Sequence, residues 1–232
     1  MEFTKSLIKG KLVKRYKRFF VDVKLSKEIV TAHCPNTGSM KGLLDAGNEV
    51  YISKNDDPKR KLKYTLEIIK AKNKLIGVNT HFANKIAQHG LSTNLIKELA
   101  NSDSIKPEVF FNKETRFDFL IEKKKQKIFV EVKNVTLCRN KEIAEFPDSV
   151  TTRGSKHLKT LIEAIKKGYK SYLLFLVQIQ DVENFKIAKD IDKEYYENYL
   201  LAKKAGVIFL AYRCKINSKE IKIEKKIKII ND

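Results

Sequence analysis

The feature that most constrains the fold is the segment FDFLIEKKKQKIFVEVKNV at residues 117–135. Two runs rich in aromatic and β-branched residues flank a polar tip, a pattern typical of a β-hairpin. With the turn centred between Lys124 and Lys125, Asp118 lies directly opposite Glu131. The segment therefore predicts two antiparallel strands in a defined register, because a one-residue slip would move every side chain to the other face.

Side chains alternate between the two faces of a strand, so the register also sorts this segment into faces. One predicted face is apolar and belongs to the core: it holds Phe117, Phe119, Ile121, Ile128, Val130 and Val132. The other face brings Asp118, Glu131 and Lys133 together, with Leu120 and Phe129 beside them. The sequence thus predicts two carboxylates and one amine in a small patch.

Like charges directly opposite each other destabilise a hairpin, and a divalent cation would offset that cost. Mg²⁺ is typically held by one or two carboxylates together with phosphate oxygens and water. A neighbouring lysine can orient the attacking water or stabilise negative charge on a phosphate. The hairpin is equally compatible with a solvated face on which Lys133 only neutralises Asp118 and Glu131.

The charge of the chain points to a polyanionic partner. The formal net charge is +20, which favours nucleic acid over an acidic membrane surface. Only seven of the 48 basic residues are arginine, and heavy use of lysine, isoleucine and asparagine is typical of an AT-rich genome. Part of the charge therefore reflects codon composition, but nucleic acid is still the favoured partner.

The cysteines and the N-terminus indicate the compartment. Cys34, Cys138 and Cys214 are far apart and form no CxxC pattern, so neither a disulfide framework nor a zinc site is predicted. The N-terminal MEFTKSLIKGKL lacks the apolar core of a signal peptide, and the longest apolar run, residues 172–177, is too short to span a bilayer. We expect a soluble cytoplasmic protein with reduced thiols.

Residues 1–80 are predicted to form a small β-domain. The runs FFVDVKL, EIVTAHC, NEVYIS, LKYTLEII and LIGVN are apolar or alternating, and turn-rich pieces such as PNTGSMKG and SKNDDPKRK separate them. About five short strands in this length are typical of an OB-type barrel, a frequent platform for nucleic acids.

Residues 81–232 change to an α/β pattern. Helices are predicted over ANKIAQHGLSTNLIKELA, which Gly90 interrupts, over SKHLKTLIEAIKKG and over KEYYENYLLAKKAG, the last two ending at Gly168 and Gly206. SYLLFLVQIQ and VIFLAYRCKI are predicted as strands. A hairpin followed by alternating helices and strands predicts the α/β class with a mixed sheet.

Two segments carry candidate contacts to nucleic acid. KRYKRFF interleaves cations with aromatics, which on a barrel strand offers phosphate contacts and base stacking together. The alternative is an edge strand with solvated lysines outside and aromatics in the core. The candidate binding residues of this segment are Lys14, Arg15, Tyr16, Lys17 and Arg18.

The second segment, FPDSVTTRGSKHL, leads into a predicted helix. Exposed N–H groups and the helix dipole favour anions there, and Arg153, Lys156 and His157 add positive charge. Capping explains Asp148 but not the cationic cluster, so phosphate contact is favoured. The loop HCPNTGSM at residues 33–40 is compatible either with phosphate binding or with a simple connection between strands.

Several of these motifs together resemble one family. RYKRFF, HCPNTGSM, EVKNVTL and FPDSVTTRGSKHL are similar to the sugar fermentation stimulation protein A family, and the likeness runs nearly end to end. The resemblance implies an OB-like domain at residues 1–80, followed at 81–232 by a domain resembling the PD-(D/E)xK nucleases. It also implies DNA binding and a link to sugar metabolism.

The resemblance carries over to individual residues. Asp118, Glu131 and Lys133 match the nuclease-like catalytic positions, and the first two would bind the metal, Mg²⁺ or Mn²⁺. Glu98, in KELA, matches a glutamate of the family pattern and is implied as a further metal ligand. His89 stands where the family usually has glutamate, a departure that weakens the helix-borne part of a metal site.

Three functions follow as hypotheses. The first is a DNA-binding protein without sequence specificity, whose partner could also be RNA or single strands, on a nuclease-like platform. The second is an active nuclease dependent on Mg²⁺ or Mn²⁺. The third is a regulator of sugar-utilisation genes, for which the sequence offers no helix-turn-helix pattern.

Overall fold

A computed structural model describes residues 1–140 and 142–230. The strands of the N-terminal part are β1 Ile8–Tyr16, β2 Phe20–Lys24, β3 Ile29–His33, β4 Glu49–Lys54, β5 Tyr64–Ala71 and β6 Lys74–Gly77. These six strands form one sheet in the order β3-β2-β1-β4-β5-β6. A parallel pairing of β3 with β5 closes the first five strands into a barrel, as the sequence predicts for an OB domain.

The count of five barrel strands is confirmed, but their identity differs from the prediction. The run LIGVN contributes β6, which pairs with β5 outside the closed barrel. The missing barrel strand is β1, IKGKLVKRY, whose pattern is hard to recognise because only Gly10 and Leu12 are buried along its length. Its other positions are largely lysine, arginine and tyrosine, which conceal the alternation.

The C-terminal part contains three α-helices among its described residues: α1 Ala83–Ser92, α2 Thr152–Lys166 and α3 Lys193–Lys204. Its strands are β7 Ser104–Phe110, β8 Arg116–Lys123, β9 Gln126–Val135, β10 Leu137–Asn140, β11 Ile143–Phe146, β12 Lys170–Val177, β13 Asn184–Ile187, β14 Ile208–Ile216, β15 Ile221–Lys226 and β16 Lys228–Ile229.

These strands form a six-stranded mixed sheet in the order β15-β14-β12-β9-β8-β7 and a smaller sheet in the order β10-β11-β13-β16. Strands β9, β12 and β14 run parallel, whereas β7, β8 and β15 pair antiparallel to their neighbours.

The first predicted helix is shorter than expected. It ends at Ser92 and is followed, after an irregular stretch, by a single 3₁₀ turn at Lys97–Leu99. Gly90 lies inside the helix, where a Cβ atom would overlap the side chain of Ile223 on β15. The glycine therefore permits close packing of α1 on the sheet, and the left-handed Asn94, with φ of 59°, diverts the chain.

The central hairpin has the predicted register. Lys124 and Lys125 have φ of 50° and 64°, the conformation that a two-residue hairpin turn requires. Phe119 pairs with Val130, and the pairing continues in step to the turn. Both faces are buried: the face with Phe119 packs with α1, and the face with Leu120 packs with α2.

One residue of the hairpin is not on its predicted face. The ring of Phe117 lies 5.1 Å from that of Phe129, centroid to centroid, and so packs on the face expected to be opposite. The neighbouring β7 has a left-handed residue, Glu108, with φ of 55°, between the pairs Pro107–Phe119 and Val109–Phe117. Regular alternation is interrupted at this level of the sheet, beside Asp118.

The barrel and the α/β domain are joined by direct hydrogen bonds. Ser39 Oγ donates to the carbonyl of Asp148 at 2.8 Å, and the amide of Met40 donates to Asp148 Oδ2 at 3.3 Å. On another side of the barrel, the amide of Gly77 donates to the carbonyl of Gln178 at 3.0 Å. The loop HCPNTGSM therefore links the two parts through Asp148.

No helix of the described residues is long and apolar enough to cross a bilayer.

Asp192 connects the beginnings of α2 and α3. Its Oδ1 accepts from the amide of Tyr195 at 2.9 Å as the N-cap of α3, and its Oδ2 accepts from the amide of Thr151, the N-cap of α2, at 2.7 Å. The residue is only 4% exposed. Its carboxylate therefore fixes where α2 begins.

We expect Asp192→Ala to lower the free energy of unfolding by about 2–4 kcal/mol, because it removes a cap and leaves a buried N–H group without a partner. Asp192→Asn should cost less, because one acceptor remains. The exposed Glu194→Ala on the same helix serves as control and should cost no more than about 0.5 kcal/mol. Urea unfolding measures all three, and equal losses for Asp192→Ala and Glu194→Ala would contradict this role.

Candidate functional site

A cleft of about 630 Å³ opens beside β7, β8 and the first turns of α2. Its walls carry carboxylates, cations and one exposed aromatic side chain. Asp118 lies in this cleft, as do three of the residues predicted from FPDSVTTRGSKHL. The lining residues are Asn84, Glu108, Phe110, Glu114, Thr115, Arg116, Asp118, Arg153, Lys156 and His157.

The three hairpin residues singled out by the sequence are close together. Glu131 is 3% exposed, and its Oε1 accepts from Lys133 Nζ at 2.7 Å. Asp118 is half-buried: its Oδ2 accepts from the amide of Val132 at 2.7 Å. Asp118 is also near enough to Glu131 for the two charges to repel each other. The strand geometry therefore assembles the predicted patch of two carboxylates and one amine.

His157 extends this cluster from α2. Its Nδ1 is hydrogen-bonded to Glu131 Oε1 and lies 3.3 Å from Lys133 Nζ. On the other side of the ring, Arg153 Nε donates to Nε2 at 3.3 Å. Because a guanidinium can only donate, Nε2 is the acceptor and Nδ1 carries the proton that is donated to Glu131.

The pKa values of the two carboxylates are shifted in opposite directions. Burial, together with the charge of Glu131, raises the pKa of Asp118 to about 6. Burial would also raise the pKa of Glu131, but the positive charge of Lys133 and the hydrogen bond from His157 outweigh it and lower the pKa. Glu131 is therefore the carboxylate that stays ionised, and Asp118 is the one that repulsion makes costly to ionise.

Among the cleft residues that escaped the sequence analysis, two lie around Asp118. Asn84, in the first turn of α1, donates through Nδ2 to Asp118 Oδ1 at 2.7 Å and to Glu108 Oε1 at 3.2 Å. Glu108 Oε2 is also paired with Arg116 Nε at 2.7 Å. The chain offers one weak signal for Glu108, an acid directly after Pro107 in the edge strand β7, and none for Asn84.

The structure does not bring Glu98 to this cluster. Its carboxylate accepts from Tyr212 Oη at 2.7 Å and from Lys226 Nζ at 2.6 Å, on the α1 side of the sheet. Its carbonyl accepts from Lys123 at the tip of the hairpin, the far end of β8 from Asp118. We therefore leave Glu98 out of the site. His89, at the position where the resemblance implies glutamate, has an exposed side chain.

The residues of the β1–β2 hairpin divide into two groups. Arg15 donates to the carbonyls of Arg18, Asn36 and Gly38 at 3.0, 2.7 and 3.1 Å, so its guanidinium holds the loop together. Lys17 and Arg18 form the exposed turn with positive φ. Arg15 is thus explained by structure, whereas the two turn residues are available to a ligand.

The other two predicted residues of this hairpin lie beside the turn. Tyr16 is 36% exposed and stacks on Phe20 with 5.5 Å between ring centroids. Lys14 is exposed, with its Nζ 5.5 Å from the Tyr16 ring and 3.9 Å from Asp22 Oδ2. An aromatic surface with cations around it therefore lies at the end of the barrel.

On α2, the cations predicted to contact phosphate line the same cleft. Arg153 and Lys156 are exposed, and Lys156 Nζ is paired with Glu114 Oε2 at 2.9 Å. His157 is 8% exposed and belongs to the Glu131 cluster. Across residues 1–140 and 142–230, no three side chains among Asp, Glu, His and Cys are arranged to hold a metal ion by themselves.

The fold is an OB barrel followed by an α/β domain, and an Asp–Glu–Lys cluster lies on the central hairpin of the second part. These features together define a class of two-domain protein. The family model described as the SfsA N-terminal OB domain matches residues 13–78, and the model described as the sugar fermentation stimulation protein RE domain matches residues 81–220. The chain belongs to the sugar fermentation stimulation protein family.

Individual relatives agree with this assignment over the full length. A sugar fermentation stimulation protein homolog from Pelagibacter ubique is 85% identical over 231 residues, with 100% of each chain covered. The homolog from Maricaulis maris is 43% identical, with 99% and 98% covered. Among solved structures, Pyrococcus furiosus SfsA in complex with Ca²⁺ matches with a TM-score of 0.89 at 28% identity, covering 100% of this chain and 98% of the other.

The raised pKa of Asp118 makes a specific prediction for stability. Above its ordinary pKa of about 3.9, Asp118 keeps its proton in the folded protein but loses it in the unfolded chain, so stability falls as the pH rises towards 6. We expect the free energy of unfolding of the parent to decrease by about 2–3 kcal/mol more than that of Asp118→Asn between pH 4 and pH 8.

Urea titrations in a metal-free buffer across this pH range measure the difference. Asp103→Asn, at an exposed position near the tip of the same hairpin, is the control for a general charge effect. Parallel pH profiles for the parent and Asp118→Asn would contradict the repulsion between Asp118 and Glu131.

Proposed function

We propose that the protein binds DNA without sequence specificity and carries a divalent-metal site of nuclease type in the cleft beside β8. The observation that carries the proposal is the pair of carboxylates, Asp118 and Glu131, with Lys133 bonded to the second at 2.7 Å. The net charge of +20 attracts polyanionic ligands such as DNA to the protein that carries this pair.

The residues of the cleft fit a divalent cation. Glu131 Oε2 is buried and has no hydrogen-bond partner among the described residues, although buried polar atoms are normally paired. Asp118 and Glu131 repel each other, and a cation would relieve this repulsion. The Ca²⁺ in the complex of the Pyrococcus furiosus relative supports the same reading.

We assign the cation to Asp118 and Glu131, with Asn84 and Glu108 next to Asp118. Mg²⁺ and Mn²⁺ are the expected ions, since such sites are completed by water and phosphate oxygens rather than by a full protein cage. When bound, the cation stabilises negative charge on a phosphate as a Lewis acid.

The protein's own side chains have separate tasks in this proposal. Lys133, with 13% of its side chain exposed, is positioned by Glu131 to donate a hydrogen bond to the attacking water or to a phosphate oxygen. His157 holds Glu131 in place through Nδ1. Arg153 and Lys156, at the exposed rim, attract the phosphates of the neighbouring nucleotides.

Hydrolysis of phosphodiester bonds is the second candidate, favoured by Lys133 next to the two carboxylates. The family name would then reflect an indirect link between this nucleic-acid chemistry and sugar metabolism. Cleavage of supercoiled plasmid and of labelled single strands with Mg²⁺ or Mn²⁺ tests it. Glu131→Gln should abolish cleavage, whereas Glu114→Gln, at the exposed rim of the cleft, should retain it.

The possible results separate the two candidates. Cleavage by the parent and by Glu114→Gln but not by Glu131→Gln makes the protein a nuclease. Binding of DNA with no cleavage by the parent leaves a DNA-binding protein with a metal site. Cleavage that persists undiminished in Glu131→Gln contradicts the assignment of the site.

Metal binding has a readout that does not depend on cleavage. At about 100 times the Kd, a ligand stabilises the folded state by about 2.7 kcal/mol, which raises the Tm of a chain of this size by about 5–10 °C. We expect Mn²⁺ to raise the Tm of the parent and of Glu98→Gln equally. Glu131→Gln should lose most of the rise and Glu108→Gln part of it. A rise lost in Glu98→Gln alone would reinstate Glu98 as the ligand.

The two groups of residues on the β1–β2 hairpin should behave differently. The double variant Lys17→Ala/Arg18→Ala should weaken DNA binding and reduce the slope of log K against log salt by up to about 2, with no change in Tm. Arg15→Ala should instead lower the free energy of unfolding by about 2 kcal/mol, because three backbone carbonyls lose the hydrogen bonds from its guanidinium. Titrations at several salt concentrations and urea unfolding measure these effects; unchanged affinity in the double variant would place the interface on the second domain.

A further inference from the structure

Phe110 is a large apolar side chain exposed at the cleft. It is the last residue of β7, it lines the cleft together with Asp118 and Arg153, and 67% of its surface is accessible. Its neighbour Phe111 points into an aromatic cluster, with its ring 5.3 Å from that of Phe129 and 5.6 Å from that of Phe117. The partly buried ring of Phe111 packs against the core and anchors the backbone next to Phe110.

The environment of Phe110 is that of a stacking platform. The guanidinium of Arg116 lies over the ring, with 5.7 Å from Cζ to the centroid, and Glu108 holds that guanidinium through a bond of 2.7 Å to Nε. Two thirds of the residue stays accessible with Arg116 in place, so a second planar group can reach the ring. A guanidinium and an aromatic ring are the groups on which nucleobases stack.

The charges of the cleft favour a nucleotide over another apolar ligand. Arg153 and Lys156 lie exposed on the α2 side of the cleft, and Lys133 lies behind them beside Glu131. A polynucleotide chain offers negative phosphates to these cations and a flat base to Phe110. An apolar peptide or lipid would remove Arg153, Lys156 and Asp118 from water without offering them any charge or hydrogen bond of its own.

We propose that Phe110 stacks on an unpaired nucleobase of a single-stranded nucleic acid whose phosphate lies at the Asp118–Glu131 site. The inference rests on the proposed function and adds the structural class of its substrate. A base inside a duplex is already stacked on both sides, so it cannot lie on Phe110 without leaving the helix, which costs unstacking energy. Single strands, frayed ends and flaps present such a base at no such cost.

Because the sequence contains no tryptophan, one introduced at position 110 can be used to test stacking directly. Phe110→Trp introduces a single indole at the platform, whose fluorescence reports stacking on a base. Leu201→Trp, on α3 at a position that is 58% exposed, is the matched control for nonspecific quenching. Both are titrated with a thymidine oligonucleotide of about 12 nucleotides, within the site sizes of OB folds, and with a duplex of equal length, in Ca²⁺.

The fluorescence anisotropy of fluorescein-labelled copies of these oligonucleotides measures binding independently. We expect the single strand to quench Phe110→Trp saturably, with little effect from the duplex and none on Leu201→Trp. Phe110→Ala should weaken binding of the single strand about 10-fold and leave duplex binding unchanged.

The contrary results are distinguishable. If the single strand binds the parent but neither quenches Phe110→Trp nor loses affinity in Phe110→Ala, the stacking role is overturned and the proposed function stands. Equal quenching by single strand and duplex overturns the preference for unpaired bases. If no oligonucleotide binds the parent even at low salt, the proposed function fails, and the inference fails with it.

Discussion

The structure is organised around two carboxylates that the central hairpin forces together. Asp118 and Glu131 lie on adjacent strands of a sheet that is buried on both faces, so neither can move away from the other or reach bulk water freely. Glu131 is neutralised by Lys133 and His157, whereas Asp118 depends on hydrogen bonds from Asn84 and a backbone amide. A cluster in which one acid stays ionised and the other resists ionisation is typical of sites that bind metal ions or move protons.

The surrounding fold fixes this cluster relative to the barrel. The ring of His157 requires α2 to begin where it does, and Asp192 sets that position by bonding the residue that caps α2. The segment before α2 carries Asp148, which binds the loop around Met40 of the barrel. The basic β1–β2 hairpin of the barrel and the cleft of the second domain are therefore linked through this loop and Asp148, as the proposed binding of a longer nucleic acid would require.

The features that the sequence predicts are local features of the fold. The hairpin register follows from strand alternation and from the turn at Lys124 and Lys125, and the structure confirms it. The same alternation fails at Phe117, whose ring packs against Phe129 on the opposite face, and no local sequence pattern indicates this change. The sequence does not predict β1, because lysine, arginine and tyrosine at its exposed positions hide a period of two. Strands β10, β11, β13 and β16 contain only two to four residues each, too few to show a period, and β7 and β15 were not predicted either.

The long-range parts of the site could not be read from the chain. Asn84 and Glu108 are separated from each other and from Asp118 by a helix end, an irregular segment and a strand, and only the packing of α1 on the sheet brings them together. Glu98 illustrates the converse: the family resemblance implied a helix-borne ligand, but the helix ends early and the glutamate pairs with Tyr212. Residue type identifies the chemistry of a site more readily than it identifies every member.

The proposed site requires that Asp118 and Glu131 together hold a divalent cation. Anomalous diffraction from crystals of the full chain soaked in Mn²⁺ locates that cation. We expect an anomalous peak within coordination distance of carboxylate oxygens of both residues, absent from crystals of Glu131→Gln. A peak held by Glu98 or elsewhere, with none at the Asp118–Glu131 pair, would contradict it.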